Sequence, residues 1–272
     1  MISALLKIFT SEESAFSLRT KQLIAAVVPS SLLHSAKKSY YTRLLKNHGT
    51  EFMEADARAL PLIIKPGDFV IDIGAYVGFY TKPLSELVGD SGKVWAFEPA
   101  KQSYDILTHA VRRLGFKNVQ AFNLAVSNSK RTVVMEVGRY KGGGESWYDS
   151  RIVGSEGMNP GRRQLKAETT TLDSLLPQMD RPVSFIKCDA EFHELECLRG
   201  SCEIIARWHP VWLIETLDNP YNKISEVNNV IEFMEKSGYA AFVFEHGKFS
   251  PRNVGIKSQN LFFFPQEHAY SN

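Results

Sequence analysis

From Lys65 onward, short apolar runs alternate with amphipathic stretches. Phe69–Ile73, Val94–Phe97, Val119–Val126, Val183–Cys188 and Val211–Thr216 are rich in Val, Ile and Phe, as strands buried on both faces are. Helical periodicity falls between them, near Tyr80–Val88, Tyr104–Leu114, Glu194–Ala206 and Ile224–Ser237. The alternation predicts parallel βαβ units and a doubly wound α/β fold. Ala240–Phe244 and Leu261–Phe264 have no helix between them, which predicts an antiparallel hairpin on the sheet edge.

Residues 1–61 follow a different pattern. Ile2, Leu5, Leu6 and Phe9 share one helical face, and a second apolar stretch ends at Pro29. Ser30 or Ser31 can then cap a helix carrying Leu33, Tyr40, Tyr41, Leu44 and Leu45, which stops at Gly49. A third helical piece runs from Thr50 to Pro61. This α-helical N-terminal cap is either a packing layer or dimer contact, or a lid over a site. Residues 62–272 form the remaining domain. Within it, the glycine-rich segment near 138–168 has no periodicity and predicts a long loop. Its Trp147, Tyr148, Arg151, Arg162 and Arg163 suit gripping a polar substrate; the alternative is a solvated excursion.

Composition narrows the classes. Hydrophobic residues make up 44% of the 272 and charged residues 23%, ordinary values for a globular chain. A formal charge of +2 gives no argument for nucleic acid. No apolar run approaches a membrane span, and the first residues lack the basic start of a secretory signal. Cys188, Cys197 and Cys202 are spaced neither as a disulfide framework nor as a zinc site, so they read as reduced residues of a cytoplasmic protein.

The chemistry begins at Val70-Ile71-Asp72-Ile73-Gly74-Ala75-Tyr76-Val77-Gly78, a strand running into a glycine turn that opens a helix. Asp72 puts a carboxylate near the strand end. Glu98 closes the next strand, where an acid accepts hydrogen bonds from the two hydroxyls of a ribose. The dinucleotide pattern G-x-G-x-x-G is missing, because Ala75 and Tyr76 follow Gly74. Asp72 would repel a pyrophosphate but suits a cationic ammonium. The pair therefore points to S-adenosylmethionine and away from an NAD-type oxidoreductase. A scaffold protein with a degenerate site is the other alternative.

In this order the blocks resemble the FkbM family of S-adenosylmethionine-dependent methyltransferases. They are Pro66-Gly67-Asp68-x-Val70-Ile71-Asp72-Ile73-Gly74-Ala75, Ala96-Phe97-Glu98-Pro99, Asn123-Leu124-Ala125-Val126-Ser127, Thr171-Leu172-Asp173-Ser174-Leu175, and Ile186-Lys187-Cys188-Asp189-Ala190-Glu191 followed by Glu194, Leu198 and Gly200. Pro210-Val211-Trp212-Leu213-Ile214-Glu215 ends the series. One position departs: Phe192 stands where the family has Gly after the second acid, and this bears on the local turn.

The resemblance implies a Rossmann-like class I methyltransferase sheet and an oxygen acceptor on a small molecule such as a sugar or natural product. It implies that Asp72, Gly74 and Gly78, with Tyr76 in the same turn, hold the methionine end. Glu98 would hold the ribose, Asn123 to Ala125 the adenine edge, and Asp189 would face the methyl group. An alcohol acceptor needs a base, and His193, beside Asp189 and Glu191, has a suitable pKa; its alternative is a surface residue at a helix start. A neighbouring carboxylate is expected to raise that pKa toward or above neutral. Asp189 and Glu215, with Glu191, can hold a divalent metal, or else bind substrate hydroxyls or act as base.

Overall fold

The computed structural model describes residues 29–47, 55–139, 145–153, 159, 161–216, 226–252 and 260–266. The helical face of Ile2 to Phe9, the apolar stretch before Pro29 and the start of the third helical piece at Thr50 lie outside them. Helix α1 (Ser30–Asn47) forms as the sequence predicts. The carbonyl of Pro29 opens it by accepting from the N–H groups of Leu32 and Leu33. A 3₁₀ turn (Ala55–Ala59) and short helix α2 (Leu60–Ile63) lead into the sheet.

Strand β1 (Phe69–Ile73) is buried at every position, as a central strand covered on both faces must be. Phe69, Ile71 and Ile73 join one apolar layer with Trp212 and Phe263; Val70 joins the opposite layer with Phe185 and Phe262. Helix α3 (Thr81–Val88), strand β2 (Lys93–Phe97), helix α4 (Lys101–Leu114) and strand β3 (Val119–Phe122) build outward on one side of β1. The chain later returns to the other side of β1 as β8 (Val183–Cys188) and β9 (Val211–Glu215), both parallel to it. The gap between β1 and β8 is thus the switch point of a doubly wound sheet, where ligands of such folds bind beyond the carboxyl ends of the strands.

Numbering the intervening strands β4 (Ala125–Val126), β5 (Thr132–Arg139), β6 (Glu145–Val153) and β7 (Gln164–Thr170), the remaining elements are helices α5 (Glu194–Arg199), α6 (Cys202–Trp208) and α7 (Glu226–Lys236) and strands β10 (Tyr239–Glu245), β11 (Lys248–Pro251) and β12 (Asn260–Pro265). The main sheet runs β11-β10-β12-β9-β8-β1-β2-β3. Among the described residues, no helix is long and apolar enough to cross a membrane.

Four expectations change in detail. Ala240–Phe244 and Leu261–Phe264 do pair antiparallel, but β12 lies between β10 and β9, and the hairpin partner of β10 is β11. Every residue of β12 is buried, which an edge strand could not achieve. The run Val119–Val126 is two strands. Its break at Asn123 moves Ala125 and Val126 into a second sheet, ordered β4-β7-β5-β6. The described residues of the segment near 138–168 are largely strand: β6 and most of β7 fall within it, in antiparallel ladders with β5. The predicted helix Glu194–Ala206 is broken at Gly200, where a Cβ would stand 2.0 Å from the carbonyl oxygen of Ser127.

Candidate active site

Beyond the carboxyl ends of β1, β2 and β8 lies an open cleft, at the place where α/β sheets of this kind bind small molecules. Its floor is the turn after β1. Gly74 has φ +75°, and a Cβ there would meet the carbonyl oxygen of Asp189 at 1.8 Å, so only glycine lets the ends of β1 and β8 come this close. The N–H groups of Gly74 and Ala75 donate to the carbonyl of Phe97 at 3.0 and 2.9 Å, docking the turn on the end of β2. Gly78, φ +105°, backs onto Leu107 and Leu45. Tyr76 is left-handed at φ +48° without being glycine, and it lines the cleft.

Glu98 lines the cleft beside it and is buried. One carboxylate oxygen accepts from the N–H of Tyr76 at 2.8 Å and the other from that of Ala100 at 2.7 Å. Burial pushes its pKa up to about 8 in spite of those two bonds. Asn123 is not among the residues lining the cleft. Its Nδ2 donates to the carbonyls of Glu98 and Pro99, both at 2.9 Å, and so braces the loop that carries Glu98. Leu124, Ala125 and Val126 take the cleft wall.

Asp72 lies beneath the turn, fully buried and outside the cleft lining. Thr81 Oγ1 donates to its Oδ2 at 2.6 Å, and burial raises its pKa against the opposing pull of Lys187. Lys187 pairs with Asp72 in the β1–β8 register. Its buried ammonium donates to Asp189 Oδ2 at 2.7 Å and stands 4.7 Å from the ring centre of Tyr80. Burial pulls its pKa down, but the carboxylates of Asp189 and Asp72 outweigh that and hold it above the ordinary value.

Asp189, Glu191 and His193 line the cleft on the β8 side. Carboxylate oxygens of Asp189, Glu191 and Glu215 all lie within 4.8 Å of one another. Glu215, at the end of β9, is 5% exposed. Burial first, and then the Asp189 carboxylate, push its pKa up to about 10, so it carries a proton at neutral pH. Three oxygens at this separation fit the ligand distances of a hard divalent cation, although Lys187 already holds one oxygen of Asp189.

Glu191 and Phe192 are consecutive left-handed residues at φ +51° and +70°. The turn therefore has the conformation that glycine prefers, and Phe192, 42% exposed, adopts it at a cost in strain. The turn leads into α5, where Glu194 Oε1 accepts from the N–H of Ala190 at 2.8 Å. The Nε2 of His193 lies 3.0 Å from Ser127 Oγ, which fixes the ring and leaves Nδ1 for a ligand. The expected rise of the His193 pKa does not occur. Burial, reinforced by Arg131, outweighs the Glu196 carboxylate and holds the ring below 6.5.

The facing wall comes from the second sheet: Met135 on β5, and Ser150 and Ile152 on β6. Ser150 Oγ is buried and has no hydrogen-bond partner among the described residues. Strand alternation turns Arg151 away from the cleft, and Arg163 is exposed, 3.4 Å from Glu145. Neither grips the cleft; the side chains of Trp147 and Tyr148 lie outside the described residues. Sequence reading assigned no part to Thr81, Ser127, Lys187, Met135, Ser150 or Ile152. Ser127 and Lys187 sat inside quoted blocks, but only the fold shows what their side chains touch.

A comparison with curated proteins found no match. Among solved structures, the FkbM methyltransferase of Methylobacillus flagellatus KT is 13% identical with a TM-score of 0.46, covering 90% of this chain and 57% of that one. The chain thus spans less than two thirds of that protein. A SAM-dependent O-methyltransferase of Thermotoga maritima is 13% identical, TM-score 0.44, over 82% of this chain and 69% of that one. Aeropyrum pernix fibrillarin, solved with natively bound S-adenosyl-L-methionine, is 13% identical, TM-score 0.43, over 83% and 73%. The model of the methyltransferase FkbM domain matches residues 72–241. That stretch covers more than half of the sequence and holds the glycine turn, Glu98 and the Asp189–His193 segment, so the chain belongs to the FkbM methyltransferase family.

Proposed function

We propose that the chain is an S-adenosylmethionine-dependent methyltransferase acting on a hydroxyl oxygen of a small molecule such as a sugar or natural product. The observation that carries this reading is the seating of Glu98 in the cleft beside the Gly74–Gly78 turn, at the switch point of the sheet. Its oxygens, oriented by two backbone N–H groups, keep lone pairs for the two hydroxyls of a ribose. The absence of a G-x-G-x-x-G phosphate turn separates this cleft from a dinucleotide site.

When bound, S-adenosylmethionine supplies a methyl carbon on a positive sulfur; the acceptor oxygen forms the new O–C bond as the S–C bond breaks and sulfur takes its electron pair. Asp189 and Glu191 give the cleft the negative potential that suits a cationic ligand. Asp72 acts from below, by holding the first turn of α3 through Thr81 and by its charge on Lys187. His193 takes the hydroxyl proton on Nδ1 while Ser127 holds the opposite nitrogen. Because the ring is uncharged at neutral pH, it is ready to accept that proton. Met135, Ser150 and Ile152 confine the acceptor.

A second reading is favoured by one observation, the convergence of Asp189, Glu191 and Glu215. These residues would hold a divalent cation that lowers the pKa of the acceptor hydroxyl. Titration calorimetry with S-adenosylhomocysteine and NAD⁺ tests the cofactor: heat from the former alone is expected, and heat from NAD⁺ alone would overturn the proposal. Dialysis against EDTA tests the metal, with activity expected to survive it.

A further inference from the structure

Helix α1 lies outside the family match, which starts at residue 72, yet it packs on the turn that floors the cleft. We propose that α1 backs the cofactor turn and that Tyr41 is a positioning residue which latches Tyr76 in place. The inference rests on the proposed use of S-adenosylmethionine.

The hydroxyl of Tyr41 is 3.2 Å from that of Tyr76. The Tyr41 ring meets the rings of Tyr76 and Phe79 edge-on, with centroids 6.1 and 6.3 Å apart. Four residues on, along the same helix face, Leu45 is buried and its Cδ1 lies 3.7 Å from where a Cβ on Gly78 would stand. One face of α1 therefore covers the turn from Tyr76 to Phe79. Four residues before Tyr41, Lys37 lies within electrostatic reach of Glu145 at the start of β6.

Tyr76 is where this contact acts on the site. Its left-handed backbone is costly for a residue with a side chain, so neighbouring contacts must sustain it. The same residue donates its N–H to Glu98 and presents its ring to the cleft. Fixing the Tyr76 ring from outside therefore also fixes the donor that orients the Glu98 carboxylate. A route of direct contacts runs from Tyr41 through Tyr76 to Glu98.

The test is Tyr41→Phe, which keeps the ring contacts and removes only the hydroxyl. Calorimetric titration with S-adenosylhomocysteine should give a Kd raised about two- to tenfold, the value of one neutral hydrogen bond. The melting temperature and the KM for acceptor should stay at their wild-type values, which a merely structural role would not predict. Tyr76→Phe should cause the same loss, and the double variant no more than either single one, because both remove one interaction. Wild-type affinity in Tyr41→Phe, or losses that add in the double variant, would overturn the latch. If the wild-type protein itself fails to bind S-adenosylhomocysteine, the proposed function falls as well; if it binds and Tyr41→Phe binds equally, only the latch falls.

Discussion

The two sheets contribute opposite halves of the cleft by different means. The main sheet supplies carboxyl groups: Glu98, Asp189 and Glu191 stand at or just beyond the ends of β2 and β8, held by backbone donors and by Lys187. Strands β5 and β6 of the second sheet supply a largely apolar wall, Met135 and Ile152, with the single hydroxyl of Ser150. Charged groups need rigid, buried supports if their pKa values are to be set by the protein, and a central parallel sheet provides them. An apolar wall needs only shape. We infer a division of labour, with the cofactor bound by the main sheet and the neighbouring β4, and the acceptor confined by β5 and β6.

Four outcomes would sharpen or break that division. The largest effect is expected from His193→Ala, which should lower kcat by about 10²–10⁴ and leave S-adenosylhomocysteine affinity intact. In the wild type, kcat should be flat near neutrality and fall only below pH 6.5, as the ring gains its proton. Wild-type kcat in the variant, together with loss of activity in EDTA, would transfer the hydroxyl's activation to a metal.

Next in size, Glu98→Ala should weaken cofactor binding by about 1–3 kcal/mol, since it leaves the ribose hydroxyls without their acceptor. Acceptor KM should hardly move. Binding to the wild type should also strengthen as pH rises through about 8, where the carboxyl loses its proton and becomes a better acceptor for the ribose hydroxyls. Unchanged cofactor affinity in this variant would detach Glu98 from the ribose.

Ser150→Ala should do the reverse. It removes a buried hydroxyl that has no partner among the described residues, so the melting temperature should hold or rise, while acceptor KM shifts by about two- to tenfold. A change in cofactor Kd instead would place the cofactor against β5 and β6 and break the division.

The last outcome concerns stability rather than turnover. The folded-state pKa values of Glu98 and Glu215, about 8 and about 10, exceed the ordinary 4.5. A raised carboxyl pKa means the native state binds more protons than the unfolded one. The stability of the ligand-free protein is then fullest below about pH 4.5 on this account and falls as pH rises toward 10. Glu215→Gln should flatten the upper part of that decline in thermal melts, and an unchanged slope would refute it.

The same contrast explains what could be read from the chain. Phe69–Ile73 and Val183–Cys188 are continuous apolar runs because both faces are covered, and their limits were legible to the residue. Gln164–Thr170 was not legible. Its inward positions are Leu165, Ala167 and Thr169, partly small or polar, so the alternation is faint among charged neighbours. Glycines on either side of Glu145–Val153 hid β6 in the same way. Proline and glycine mark where a chain turns but not how far it has been extended between turns. At the site, residue types at strand ends announced Glu98 and Asp189. The ring-fixing role of Ser127 was invisible, because it depends on a contact across 66 positions. The direction of the His193 pKa failed for a related reason: burial, which decides it, is a property of the fold.

The close approach of Gly74 to Asp189 also bears on the order of events during synthesis. The turn and Glu98 are complete early, but their partner strand comes much later; Ser184 contacts Phe69 from 115 positions away. All of the second sheet is translated in that interval. Until Val183–Cys188 emerges, one edge of β1 has no partner, and its buried-type side chains Val70, Ile71 and Ile73 face an unfinished core. A chain interrupted before Val183 would carry the glycine turn on a bare, apolar strand edge, the kind of edge that recruits other chains.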